Sequence, residues 1–235
     1  LIRATIAQRD DKGAPTRVSG VMFNISEQEG FKTALHETGY ILRQLHSITT
    51  SHELPLQERL ERILAAGCDH FGLPNGIISH ISDGQYEVLA VHTEGGSIKT
   101  GDVYPLGMTF CSETLEFGGA VYFEDAARSR FKTHPCYLEF GLSTYIAIPI
   151  EVNNEVYGTL NFSSPTPREN RFTASDVEIL RLMGQWVGSE IYRQQSEQEL
   201  RQERNKAQRY LDVAGVIMLV IGADQRVSLI NRKGC

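Results

Sequence analysis

Apolar and polar residues are patterned in two ways along this chain, as alternation and as helical spacing. Leu1–Ala7 partly alternates, Asp10-Asp11-Lys12-Gly13 has turn composition, and Val18–Ile25 forms a second strand-like run, so the first 25 residues predict a hairpin. Ser26 with Glu29 has capping-box spacing and predicts a helix running to about Thr49, with Phe31, Leu35, Leu42 and Leu45 near one face. Gly39 weakens that helix by about 1 kcal/mol relative to alanine. Pro55 opens a second helix, in which Leu56, Leu60, Ile63, Leu64 and Cys68 recur at helical spacing until Gly72. Strands are expected at Gly76–Ser82 and Gln85–Thr93 around the Asp83-Gly84 turn, with a glycine-containing loop over residues 94–108. A short helix at Thr109–Phe117, a strand at Ala120–Glu124, and a long connection with a short helix near Cys136–Phe140 follow. Tyr145–Val152 and Glu155–Ser163 form a hairpin around Asn153-Asn154. Thr173, with Asp176 three residues on, caps a helix striped by Val177, Leu180, Met183, Val187 and Ile191. After Arg193 the stripe fades: Gln194–Arg209 is almost wholly polar, yet helix-forming, as in a solvated connector or weak coiled coil. Val216–Ile221 and Arg226–Asn231 close the chain as another hairpin.

Composition narrows the classes. At 41% hydrophobic and 22% charged over 235 residues, the chain is globular, of one to two domains. A net charge of −6 argues against a dedicated nucleic-acid binder. The longest apolar stretch, Val213–Gly222, is too short to span a bilayer. Cys68, Cys111, Cys136 and Cys235 form no CxxC or zinc-type cluster, which points to a reducing, cytoplasmic setting and to no metal. Leu1 in place of methionine, and a strand-like run just before Cys235, suggest that both ends are cut from a longer protein.

Four stretches then carry a family resemblance. They are Leu60-Glu61-Arg62-Ile63-Leu64; Val121-Tyr122-Phe123-Glu124-Asp125-Ala126-Ala127 with Arg130-Phe131; Gly141-Leu142-Ser143-Thr144-Tyr145-Ile146-Ala147-Ile148-Pro149-Ile150; and Val156-Tyr157-Gly158-Thr159-Leu160-Asn161-Phe162 with Phe172-Thr173-Ala174-Ser175-Asp176 and the helix through Trp186. Together they make residues 35–193 resemble a GAF domain. The resemblance implies an α+β fold, an antiparallel sheet with helices and a small-molecule pocket. Residues 1–26 are similar to the end of a PAS domain, with Asn24 where an Asp is usual, and residues 212–235 to the start of a second one. Residues 27–49 would be a connecting helix entering the GAF domain, and 194–211 a helical signalling linker. Such strings resemble the sensory regions of bacterial histidine kinases and cyclic-di-GMP enzymes, working as parallel homodimers with the output domain elsewhere in the chain.

The implied pocket gathers candidates. Phe110, Tyr122, Phe123, Tyr137, Phe140 and Tyr145 either line it or form ordinary core, and strand alternation lets only one of Tyr122 and Phe123 face it. Asp125 and Asn161 would orient a polar ligand, unless Asp125 only caps the following turn. His134 either titrates near neutrality or is a loop residue without a role. In bilin-binding relatives a cysteine comparable to Cys136 holds the tetrapyrrole. Here Tyr137 and Ser163 stand where histidines would be expected, which argues against a covalent bilin and leaves the cofactor unknown. Cys111 and Cys136 also raise a methionine sulfoxide reductase of the same fold, which would need a thiol of lowered pKa and a resolving partner. A ligand-free dimerisation platform is the third reading. Val187, Ile191, Leu200 and Leu211 are the expected coupling positions on the last helix, with no catalytic residue assigned.

Overall fold

A computed structural model describes residues 2–9, 13–22, 39–50, 53–96, 98–213, 219–221 and 225–230. Strands β1 (Ile2–Arg9) and β2 (Pro15–Met22) pair antiparallel as the first hairpin. The capping box at Ser26 and the first part of the expected connecting helix lie outside the described residues. Helix α1 occupies 39–50, and its buried positions are Ile41 and Leu45. Leu42, expected on the same face, points outward because it follows Ile41 by one residue and so lies about 100° around the helix.

Helix α2 (Leu56–Phe71) begins directly after the extended Pro55 and ends at Gly72, whose φ of 63° makes a left-handed cap donating its N–H to the Cys68 carbonyl. Strands β3 (Asn75–Ser82) and β4 (Gln85–Thr93) meet at a turn in which Asp83 and Gly84 both have positive φ, 51° and 73°. The next segment corrects the expectation of a glycine-containing loop over residues 94–108. It contains a further strand, β5 (Val103–Pro105), paired with β4, and a 3-10 turn at Leu106–Met108. Helix α3 (Cys111–Phe117), strand β6 (Val121–Phe123) and helix α4 (Pro135–Phe140) follow. Strands β7 (Thr144–Val152) and β8 (Glu155–Ser164) join through Asn153 and Asn154, again both at positive φ. Helix α5 (Ala174–Val213) starts at the expected box, in which the Asp176 carboxylate accepts from the Thr173 N–H at 2.8 Å and Thr173 Oγ1 accepts from the Asp176 N–H at 3.2 Å. Strands β9 (Leu219–Ile221) and β10 (Val227–Ile230) form the last hairpin.

Six strands make one sheet, in the order β5-β4-β3-β8-β7-β6, antiparallel throughout. Each face has its own core. On one, α1, α2 and α5 cover Ile78, Ile146, Ile148, Ile150, Leu160 and Phe162. On the other, α3, α4 and loops cover Ile77, Tyr86, Val88, Tyr145 and Ala147. Period-two alternation along β7 and β8 produces this division. Helix α5 lies very close to β7: a Cβ at Gly184 would sit 2.9 Å from Ile148 Cγ2, and one at Gly188 would overlap the Glu151 carbonyl oxygen. The same helix then leaves the sheet and extends as a polar rod of mostly exposed residues beyond Ile191. Its whole length, at 40 residues, is about 60 Å.

Candidate functional site

The second face holds a cavity of about 760 Å³, bounded by β3, β4, β5, β7, β8, α3 and α4. Its floor comes from alternate residues of neighbouring strands. Asn75 pairs with Ser163, and Ser163 pairs with Tyr145, so these three sit side by side across the sheet. Aromatic walls are supplied by Tyr86, Tyr104, Phe110, Phe140 and Tyr145, with the Tyr104 and Phe140 rings edge to face at 6.0 Å.

Beneath the walls runs a buried hydrogen-bond network centred on Cys111. Its sulfur accepts from Thr159 Oγ1 at 3.1 Å, Tyr145 Oη at 3.4 Å and Asn161 Nδ2 at 3.6 Å. Asn161 Nδ2 also donates to Tyr86 Oη at 3.0 Å, and Tyr145 Oη shares a hydrogen bond with Thr114 Oγ1 at 2.9 Å. Ser79 and Thr159 share another at 2.9 Å. Burial pushes the Tyr86 and Tyr145 phenols well above their ordinary range, so both stay neutral. The thiols are likewise held protonated. Burial raises Cys111 against the opposing pull of its donors from Thr159 and Tyr145, and it pushes Cys136 up to about 12. A catalytic thiol requires the opposite shift.

Of the candidate residues read from the sequence, Phe110, Cys111, Cys136, Phe140, Tyr145, Asn161 and Ser163 line the cavity. Five lie elsewhere. Tyr122 is half exposed on the far side of β6, against Phe172 with ring centroids 5.9 Å apart. Its neighbour Phe123 does turn toward the second core, but behind the wall, in a ring cluster with Phe110 at 4.9 Å and Phe131 at 4.7 Å. Asp125 caps the turn after β6, accepting from the Ala127 N–H at 3.0 Å. His134 caps α4 through Nδ1, which accepts from the Cys136 N–H at 3.1 Å, and its ring lies 4.7 Å from Phe110. Burial lowers its pKa, in keeping with a ring nitrogen that must stay unprotonated to accept. Tyr137 packs partly buried beside the core without reaching the cavity.

The sequence reading missed Asn75, Ile77, Tyr86, Tyr104 and Leu142, along with Glu94 and Glu139, which are exposed at the cavity's margin. On α5, Val187 and Ile191 are buried in the helix-side core, whereas Leu200 is 63% exposed on the polar extension. The side chain of Leu211 lies outside the described residues.

The fold has relatives. A family model described as GAF domain matches residues 53–191. The phycocyanobilin-bound GAF domain of a cyanobacterial phytochrome superposes with a TM-score of 0.55 at 17% identity, covering 68% of this chain and 96% of that one. A GAF domain from a phosphoenolpyruvate-protein phosphotransferase of Coxiella burnetii gives 0.56 at 16% identity, over 70% of this chain and 98% of that one. Free methionine-R-sulfoxide reductase of Neisseria meningitidis, in complex with its substrate, gives 0.53 at 15% identity, over 67% and 93%. At these identities the likeness is one of fold. No curated protein matches the sequence.

Proposed function

This chain belongs to the GAF family, sensory modules that bind small molecules, and within it we propose that the cavity holds a small ligand whose presence is relayed through α5. One observation carries the reading: the cavity and α5 lie on opposite faces of the same two strands, β7 and β8. Tyr145, Asn161 and Ser163 face the cavity, while Ile146, Ile148, Leu160 and Phe162 face the helix side. Contact between α5 and β7 is too close to absorb a strand shift locally, so a displacement on the cavity side is passed to the helix. A differential affinity of about 1–3 kcal/mol between two helix positions gives an ordinary allosteric coupling.

In this reading the chain is a non-catalytic relay. The protonated thiols of Cys111 and Cys136 weigh against the sulfoxide reductase alternative. The terminal hairpins, whose sequences resemble PAS pieces, would belong to neighbouring sensory domains. The polar extension of α5 would run beside its copy in a parallel homodimer toward a histidine kinase or cyclic-di-GMP output.

Native mass spectrometry of the chain equilibrated with cell extract tests the binding half. A discrete added mass, absent from a cavity-filled Ser163→Trp variant, is expected. Hydrogen exchange over residues 192–213, with and without that mass, tests the relay. A chain that stays bare, or an α5 whose exchange ignores occupancy, would count against the proposal.

A further inference from the structure

We infer that the cavity selects an uncharged aromatic molecule bearing an N–H or O–H donor, and rejects carboxylates, phosphates and sulfonates of the same shape. The inference rests on the reading of the cavity as a ligand site and adds the ligand's chemical class.

Charge is the first argument. None of the described residues lining the cavity is Lys, Arg or His, so no cation is placed to pair with an acidic group. Among the described lining residues the acidic side chains are Glu94 and Glu139, both exposed. An anion entering would give up its hydration, gain no counter-charge and meet repulsion at the margin.

Unspent hydrogen-bonding capacity is the second. Asn161 is 4% exposed, and its two N–H groups are directed to Tyr86 and Cys111, while its side-chain carbonyl has no partner among the described residues. Ser163 is 2% exposed, lines the same cavity and has a hydroxyl without a partner among the described residues. Neither oxygen is fully buried, so each can accept from a ligand donor in the cavity. Both groups are uncharged, and the Asn161 carbonyl can only accept, so an anion would leave it without a donor. The surrounding rings supply apolar surface suited to an aromatic body.

Two dyes with one skeleton test this on the full chain. N-phenyl-1-naphthylamine is neutral and carries one N–H; 8-anilinonaphthalene-1-sulfonate is the same body with a sulfonate. Fluorescence titration is expected to show saturable binding of the neutral dye, with the sulfonate at least about tenfold weaker. Ser163→Trp should abolish the neutral dye's signal, with Leu142→Trp as the filling variant if the first does not fold by circular dichroism. Glu139→Lys, at the exposed margin, should narrow the gap between the neutral dye and the sulfonate.

Equal or tighter sulfonate binding that is lost on filling the cavity would overturn the charge selection and leave the ligand site standing. A neutral dye that does not bind, or binds equally well to the filled variants, would overturn the ligand site itself and this inference with it.

Discussion

Arg59 of α2 is 2% exposed and bonds Glu190 of α5 at 2.7 Å, yet its Nε and Nη1 have no hydrogen-bond partner among the described residues. Glu190 is better served, because Arg193 also reaches its Oε2 at 2.9 Å. The pair should therefore respond asymmetrically to truncation. Glu190→Ala leaves a buried guanidinium with no counter-ion, at a cost of about 3–5 kcal/mol. Arg59→Met removes the same ion pair and the contact with Trp186, whose ring centroid is 5.6 Å from the guanidinium. It also removes two unpaired donors, each costing about 1–3 kcal/mol, and leaves Glu190 with Arg193. Its net effect is expected within about 1 kcal/mol of zero, and the double variant should lie near Arg59→Met. Urea unfolding, followed by circular dichroism and by the single tryptophan, Trp186, reads this directly. With a slope of about 2 kcal/mol per molar, Glu190→Ala should lower the midpoint by about 1.5–2.5 M. An Arg59→Met variant as damaged as Glu190→Ala would refute the reasoning, because it would show that the guanidinium's one good bond outweighs its two empty ones.

Three further outcomes are expected. Iodoacetamide at pH 8 should leave Cys68, Cys111 and Cys136 unmodified in the native chain and label all three in denaturant, as peptide mapping would show, because burial pushes Cys68 and Cys136 up to about 12 and raises Cys111. Stability should fall as pH drops through and below the carboxylate range: burial raises the Asp176 and Glu190 pKa values, but bonds from His70 and Thr173 to the first, and from Arg193 and Arg59 to the second, outweigh it. With folded values below unfolded ones, the unfolded chain takes up protons first, so the contribution is whole above the unfolded values and disappears below the folded ones; urea midpoints between pH 7 and 3 should slope less steeply in Asp176→Asn. Gly188→Ala, whose Cβ would overlap the Glu151 carbonyl oxygen, should cost about 2 kcal/mol by thermal unfolding, whereas Gly107→Ala, with open space around its Cβ position, should stay within about 0.5 kcal/mol.

Turns and caps were the most legible features of the sequence because local chemistry decides them. Asp83-Gly84 and Asn153-Asn154 tolerate positive φ, Gly72 accepts the left-handed cap, and Thr173 with Asp176 closes a box within four residues. β5 escaped notice because three residues paired only at a sheet edge leave no period to read. The cavity divides along the same line. Tyr145, Asn161 and Ser163 fall on strands whose family pattern the chain displays, so alternation assigns them a face. Tyr86 and Tyr104 reach the cavity from strands whose own alternation does not say which face the loops and α4 will roof over. Alternation allowed one of Tyr122 and Phe123 to turn inward; tertiary packing then decided that Phe123 meets Phe110 and Phe131 rather than a ligand.

The split sheet has a consequence for how such a protein can change over generations. On β8, Thr159, Asn161 and Ser163 belong to the cavity side, while Leu160 and Phe162 belong to the helix side. Substitutions at odd-numbered positions there can retune what is recognised without disturbing the even-numbered residues that seat α5. A duplicated copy could therefore drift toward a new chemical cue while its output stays compatible with the old one. An inserted or deleted residue within the strand would exchange the two sets at a stroke, so the length of β8 is held more tightly than the identity of its cavity-side residues.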